Sequence, residues 1–290
     1  MLILAGDFGG TKINLGLFDS REGRLHLLEK KGFLARDFDD PEVVLETFLS
    51  GTGRRPDRVC LGVAGLVKSG RAELTNLPWV ISAHSLKRRF GTDRVWLLND
   101  LAALAGSVPY LDEKDIGVLQ EGNPHPEGRV AVIAAGTGLG QAFLIPETDG
   151  RHRILDTEGG QCDFAPRDAT EVELLKFLQA ESGRVSLEWV LSGPGLVRLY
   201  QFFRSLDAAQ CGAGQDAVFQ GGDSARIISQ RALEEPSGPH REALDRFVSI
   251  YGAAAGNLAL QILARGGVYV GGGIAPKIWS HLNQGTFMAS

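Results

Sequence analysis

Val130-Ala131-Val132-Ile133-Ala134-Ala135-Gly136-Thr137-Gly138-Leu139-Gly140 is an unbroken apolar run that empties into a glycine loop. The stretch from Gln141 to Ile145 reads as a returning strand, so the whole is a strand, turn, strand unit. The same arrangement stands at the start of the chain, where Leu2-Ile3-Leu4, the cluster Gly6 to Gly10 and the alternating run Ile13 to Phe18 predict a hairpin with a tight turn. Two such units in one chain suggest an internal duplication. The 38 glycines gather in clusters directly after strand-like runs, which is the pattern of backbone loops that approach a ligand closely rather than of a flexible linker.

Working outward, Val59 to Gly65 reads as another strand, and Val95 to Leu98 as a further one that delivers Asn99 and Asp100 at its carboxyl end, before a small-residue helix from Leu101 to Gly106. Thr170 and Glu173 have the spacing of a capping box ahead of Leu174, Leu175 and Leu178. Apolar residues at Leu244, Phe247, Val248, Tyr251, Ala255, Leu258 and Ile262 recur with helical spacing and predict a long buried helix from Pro239 to about Ala264. Gly266-Gly267 is the expected C-cap, leading into a strand at Val268-Tyr269-Val270 and the loop Gly271-Gly272-Gly273. Gly252 and Gly256, one turn apart, allow close helix contact within the core or across a dimer. Strands and helices in both halves predict an α/β architecture, with a smaller domain over residues 1–110 and a larger one over 111–290.

Composition narrows the function. Thirty basic against thirty-five acidic residues, net charge −5, with no basic tract, disfavour a nucleic-acid partner. No apolar run reaches the length of a membrane span, and Met1 to Ala5 is cut short by Asp7, unlike a signal peptide. Cys60, Cys162 and Cys211 are three in number and widely spaced, which suits a reducing cytoplasm and no structural zinc site.

Three loops carry candidate chemistry. In Asp7-Phe8-Gly9-Gly10-Thr11-Lys12 an acidic side chain sits on a turn whose glycines let N–H groups reach phosphate oxygens, Thr11 offers a hydroxyl, and Asp7 suits Mg²⁺, directly or through water; alone, the motif is equally an ordinary hairpin turn. Gly136-Thr137-Gly138-Leu139-Gly140 makes a second phosphate cradle. It is not a P-loop, for no Gly-Lys-Ser/Thr follows, and Gln141 stands where a dinucleotide fingerprint needs glycine. Gly272 and Gly273 leave room for a planar base.

Together these loops, in this order, resemble the two phosphate motifs and the adenosine motif of the actin, heat-shock chaperone and sugar-kinase superfamily. The strings Leu98-Asn99-Asp100, Glu158-Gly159-Gly160, Asp163-Phe164-Ala165-Pro166, Val185-Ser186-Leu187-Glu188, Leu191-Ser192-Gly193-Pro194-Gly195-Leu196 and Thr75-Asn76-Leu77-Pro78-Trp79 narrow the resemblance to the bacterial glucokinase family, from Asp7 to about Pro276. The resemblance implies a two-domain actin-like (ribonuclease H-like) fold with a ligand cleft between the domains. It implies an ATP- and Mg²⁺-dependent hexose kinase acting on the 6-hydroxyl of glucose in the cytoplasm, as a homodimer.

It also assigns residues. Asp100 is the general base that takes the hydroxyl proton, although an Asn-Asp pair is equally a helix N-cap. Asn76, Asn99, Glu158, Gln161 and Glu188 join Asp100 around the sugar. Asp7, Gly9, Gly10, Thr11, Gly136, Thr137, Gly138, Gly272 and Gly273 hold the nucleotide.

Two departures stand out. Gln161 occupies a position where the family commonly has histidine; glutamine still donates and accepts hydrogen bonds but does not titrate near neutral pH. The family also continues past the last glycine loop into a strand and a helix that returns to the small domain, a segment expected to be missing before Ser290. The alternatives are a kinase for mannose or an amino sugar, with Gln161 as the discriminating residue, and a non-catalytic sugar or nucleotide sensor.

Overall fold

The structure is a computed structural model that describes residues 1–22, 24–75, 77–211 and 224–290, with backbone alone for 208–211. It divides into two compact units, Met1–Ser107 and Val108–Ser290.

In the first unit, β1 (Leu2–Phe8), β2 (Lys12–Arg21) and β3 (Arg24–Leu34) form an antiparallel meander. After α1 (Pro41–Thr52) the chain returns as β4 (Arg58–Val63), parallel to β1. Helix α1 is framed as its sequence dictates: the Asp40 carboxylate accepts the Glu42 N–H, Pro41 opens the first turn, and Gly53 takes the left-handed conformation at φ 64°. A small antiparallel sheet, β5 (Gly65–Lys68), β6 (Arg71–Leu74) and β7 (Val80–Ser82), precedes α2 (Ala83–Phe90). The single strand expected over Val59 to Gly65 is thus two, since the chain leaves the main sheet after Val63. Then β8 (Val95–Asn99) pairs parallel to β4 and runs straight into α3 (Asp100–Ser107). The sheet order is β3-β2-β1-β4-β8, and Leu4, Phe8, Ile13, Leu17, Leu45, Phe48 and Leu61 fill the core beneath it.

The second unit repeats this plan. The strands β9 (Val130–Ala135), β10 (Leu139–Pro146) and β11 (His152–Thr157) form the meander, and β12 (Gly267–Gly271) lies parallel beside β9, giving the order β11-β10-β9-β12. The duplication read in the sequence is therefore topological: each sheet has a meander whose first strand is flanked by a parallel one. All six residues of β9 are buried, as an unbroken apolar strand in the middle of a covered sheet should be.

Between β11 and β12 come α4 (Ala169–Gln179), α5 (Gly193–Cys211), α6 (Ser224–Glu234) and α7 (Pro239–Ile262). The short α8 (Trp279–Leu282) and α9 (Thr286–Ala289) follow.

Two helix ends differ from expectation. The cap of α4 is Asp168, whose carboxylate accepts the Glu171 N–H at 2.8 Å, and not Thr170, which lies inside the helix. Asp168 is held in place by Arg246 of α7 at 2.5 Å, a partner that no local pattern reveals. The left-handed residue that closes α7 is Leu263, at φ 52°, ahead of the expected Gly266-Gly267. Gly252 is a core contact: a Cβ there would overlap the Phe287 carbonyl oxygen of α9, whereas Gly256 faces open space. No described helix is long and apolar enough to cross a membrane.

Candidate functional site

In the first unit, the parallel strands β1, β4 and β8 end at one edge of the sheet, with Asp7 in register with Gly62 and Val63 with Asn99. Ligands of open α/β sheets bind outside such carboxyl ends. Asp7 projects from the end of β1, where Asn14 Nδ2 donates to its Oδ2 at 3.3 Å. The turn Gly9-Gly10-Thr11 is closed by the Gly9 N–H donating to the Lys12 carbonyl at 3.1 Å, and the Thr11 carbonyl accepts the Ala35 N–H at 2.9 Å. That leaves the Thr11 side chain exposed.

Asn99 and Asp100 share the work at the start of α3. The Asn99 Oδ1 accepts the N–H groups of Leu101 at 2.9 Å and Ala102 at 3.3 Å, while its Nδ2 donates to the Gly65 carbonyl at 3.2 Å. Asn99 is therefore the helix cap, and Asp100 is the first helical residue, its Oδ1 accepting the Leu101 N–H at 2.8 Å. Although the Asp100 side chain is accessible, the protein packed around it pushes the carboxyl pKa up. The Leu101 N–H pulls it back and the nearby Asp7 charge adds to the rise. Asn76 lies outside the described residues.

In the second unit the phosphate-type loop is the β9–β10 turn, held from two sides. The Gly136 N–H donates to the Gly138 carbonyl and the Gly193 N–H to the Gly136 carbonyl, both at 2.8 Å. Gly193 opens α5, so the positive end of that helix abuts the loop, where its dipole favours negative charge. Ser192 fixes this helix start: its Oγ accepts the Gly195 N–H at 3.0 Å and donates to the Glu188 carbonyl at 2.8 Å. The sequence carried a signal for this, a serine ahead of Gly-Pro opening an apolar run.

Gln161 and Glu188 meet. Gln161 Nε2 donates to Glu188 Oε1 at 2.9 Å, and the other carboxylate oxygen accepts the Leu139 N–H at 2.9 Å. A Cβ on Gly138 would stand 2.5 Å from Glu188 Oε2, so a side chain there would displace the carboxylate. Arg184, which the motif reading passed over, donates to the Gln161 carbonyl at 2.7 Å and to Asp163 Oδ1 at 2.8 Å. Glu158 opens the short turn that carries Gln161, the Gln161 N–H donating to the Glu158 carbonyl at 2.9 Å, and its side chain is exposed.

The late glycine loop reaches the same place as the phosphate-type loop. Gly272 has φ 84°, and a Cβ on it would overlap the Ala135 carbonyl oxygen, which accepts the Ile274 N–H at 3.3 Å. Gly272, Gly273 and Gly136 therefore converge at the end of β9.

Among the described residues no three His, Cys, Asp or Glu side chains gather as a metal site. Mg²⁺ needs less than that from protein, since one or two carboxylates with phosphate oxygens and water suffice. Asp7, accessible beside a glycine turn, fits that demand.

A family model described as Glucokinase matches residues 4–290. A glucokinase of Nostoc punctiforme is 38% identical over 304 residues, spanning 99% of this chain and 88% of its own. One of Caulobacter vibrioides is 37% identical over 289 residues, spanning 98% and 83%. Among solved structures, a glucokinase from an Antarctic psychrotroph covers 99% of this chain and 88% of its own with a TM-score of 0.85 and 32% identity. A glucokinase of Balamuthia mandrillaris in complex with glucose shares the fold, with a TM-score of 0.75 at 22% identity, over 99% of this chain and 84% of its own. The α/β fold is that of the actin-like ATPases.

Proposed function

The chain belongs to the glucokinase family, and we propose that it transfers the γ-phosphoryl group of Mg²⁺-ATP to the 6-hydroxyl of glucose. The observation that carries this reading is the setting of Asp100. It stands at the carboxyl end of a parallel strand, one oxygen tied to the Leu101 N–H, with a carboxyl pKa raised by its surroundings. A carboxylate so placed is a better proton acceptor than a free aspartate.

In the reaction, the 6-hydroxyl oxygen forms a bond to the γ-phosphorus, its proton passes to Asp100, and the bond to the bridging oxygen breaks to release ADP. Phosphoryl transfer asks of a protein mainly positioning and charge stabilisation. The Gly10 N–H and the Thr11 hydroxyl, on the turn that the Gly9 N–H closes, are the first unit's contribution to the phosphates. Gly136, Thr137 and Gly138, at the positive end of α5, are the second's. Mg²⁺, held through Asp7, supplies neutralisation of phosphate charge when bound. Gly272 and Gly273 make room for adenosine.

Glu158, Gln161, Glu188, Asn76 and Asn99 take sugar hydroxyls. Asn99 serves chiefly by fixing the turn that presents Asp100, and its Nδ2 has a second hydrogen to offer. A site of this polarity discriminates most strongly against analogues that lack a hydroxyl. The cytoplasm as location and a homodimer as working form belong to the same proposal and rest on the family.

One observation favours a second reading of the substrate. Gln161 replaces the expected histidine and is engaged with Glu188, which alters the donors offered to the sugar and keeps mannose and amino sugars in contention. ADP release from Mg²⁺-ATP, measured with glucose, mannose, fructose, N-acetylglucosamine and no sugar, tests both. Turnover confined to glucose supports the first reading and turnover with another hexose moves the substrate. Silence with all of them, from folded protein, overturns the kinase and favours a sensor.

A further inference from the structure

Tyr251 of α7 is fully buried, and its hydroxyl lies where β9 and β12 part company. The last paired residues of these parallel strands are Ala134 and Gly271. Just beyond, the Tyr251 oxygen accepts the Ala135 N–H at 3.1 Å and stands 3.3 Å from two carbonyl oxygens, Ile133 on β9 and Gly271 on β12. One hydroxyl hydrogen serves one of those acceptors at a time. Ala135 directly precedes the loop Gly136–Gly138, and Gly271 directly precedes Gly272. A single side chain therefore touches the last strand residue before each of the two glycine loops.

The ring is clamped so that the hydroxyl has little choice of position. Phe247 and Phe287 meet it edge-on, each with ring centroids 5.9 Å away. Phe287 belongs to α9, whose backbone is seated against the side-chain-free surface of Gly252 next in sequence. Packing alone would be served by phenylalanine at position 251. A buried hydroxyl needs partners to be tolerated, and here its partners are the stems of the two loops.

We propose that Tyr251 is a positioning residue that sets the separation of the phosphate-type and adenosine-type loops, so that it governs nucleotide affinity and leaves sugar affinity alone. The inference rests on the nucleotide reading of those loops. Glu158, Gln161 and Glu188 lie outside the contacts of the hydroxyl, which is why the two substrates should separate.

The test compares wild type, Tyr251→Phe and, as a control, Leu258→Ala, which removes a buried side chain farther along the same helix. Thermal unfolding, the KM for ATP, the KM for sugar and titration with a fluorescent ATP analogue are measured on each. For Tyr251→Phe the KM for ATP and the analogue Kd are expected to rise about tenfold, the order of one buried hydrogen bond felt at the ligand. The sugar KM should stay within about twofold of wild type. Leu258→Ala should lower the unfolding temperature and move neither.

Loss of stability in Tyr251→Phe with nucleotide affinity no more changed than in Leu258→Ala overturns the proposal. Should Tyr251→Phe not fold, Phe287→Leu, which keeps the hydroxyl and loosens its clamp, is expected to weaken nucleotide binding alone, and no change there overturns it equally. Wild-type protein that binds the analogue and phosphorylates no sugar sinks the kinase reading alone, leaving the titration to decide the role of Tyr251. Wild-type protein that binds no nucleotide sinks both.

Discussion

Glu188 accepts the Leu139 backbone N–H at 2.9 Å, joining a side chain assigned to the sugar to the first residue after the phosphate-type loop. The same carboxylate is held by Gln161 on its other oxygen, so on the proposed assignment one charged group both takes the sugar and steadies the strand that follows the loop. Glu188→Ala is therefore expected to raise the KM for sugar and for ATP together. The fall in kcat/KM should be about 10–100-fold, the range of hydrogen bonds to a charged group. Gln161→Ala should raise the sugar KM alone. Gln161→His should give the sugar KM a titration near pH ~6.5 that the glutamine enzyme lacks. Steady-state kinetics across pH checks all three.

Asp100→Ala is expected to lower kcat by about 10²–10⁴-fold, the usual contribution of general base catalysis, with sugar binding by calorimetry largely retained. Near-normal kcat would remove Asp100 from the mechanism.

The raised pKa of Asp100 has two measurable consequences. The acid limb of kcat/KM should lie above the 3.8 of an ordinary aspartate. For stability, a carboxyl that binds protons more tightly when folded is destabilising once the unfolded chain ionises. Asp100→Asn should therefore unfold at a higher temperature than wild type at pH 7. The difference should shrink as pH falls through the folded pKa towards the unfolded one.

Glu171 behaves in the opposite sense. Burial pushes its pKa up, but Arg167 and Arg246, at 2.6 and 3.0 Å, outweigh that and leave it lowered. Its contribution is present in full above the unfolded value near 4.5 and is lost as pH falls through the folded one. Glu171→Ala should cost about 3–5 kcal/mol at neutral pH, because Arg167 loses its carboxylate partner and Arg246 keeps only Asp168. Thermal unfolding at pH 7 and pH 3 should show the gap to wild type closing in acid.

Gly252→Ala should lower stability by about 1–3 kcal/mol or more, since the added methyl meets backbone and not a yielding side chain. Gly256→Ala, into open space on the same helix, should be neutral or stabilising. Paired denaturant titrations separate the two.

The two hairpins were legible because each couples an apolar run to a glycine cluster, and α7 because its spacing holds over many turns. Strand β3 was not, since every residue of it but Phe33 is exposed and no alternation marks it. Asp100 could be found as a residue delivered at a strand's carboxyl end, but the division of labour with Asn99 depends on the Asn99 carboxamide oxygen reaching the first helical N–H groups. Glu188 looks like any solvated glutamate until Leu139, 49 residues earlier, is brought to it. Asp168 displaced Thr170 as the cap of α4 for a similar reason, its anchor being Arg246 on another helix. Local signals marked where the chain turns; the partners of its charged groups came only with the tertiary fold.

The parallel pairing of β12 with β9 closes a loop of well over a hundred residues, from Val130 to Gly267, and this fixes an order of assembly during synthesis. A nascent chain that has emerged only through α7 can already complete the five-stranded sheet of the first unit, whose last strand is β8. It has the β9–β10 turn, but not the strand that lies beside β9 nor the glycines that follow it. On the proposed assignment, nucleotide then arrives too late to act as a template for early folding and acts instead on a chain that already extends through β12. Such a protein should gain its ligand-dependent resistance to protease abruptly, when β12 leaves the ribosome, rather than by degrees.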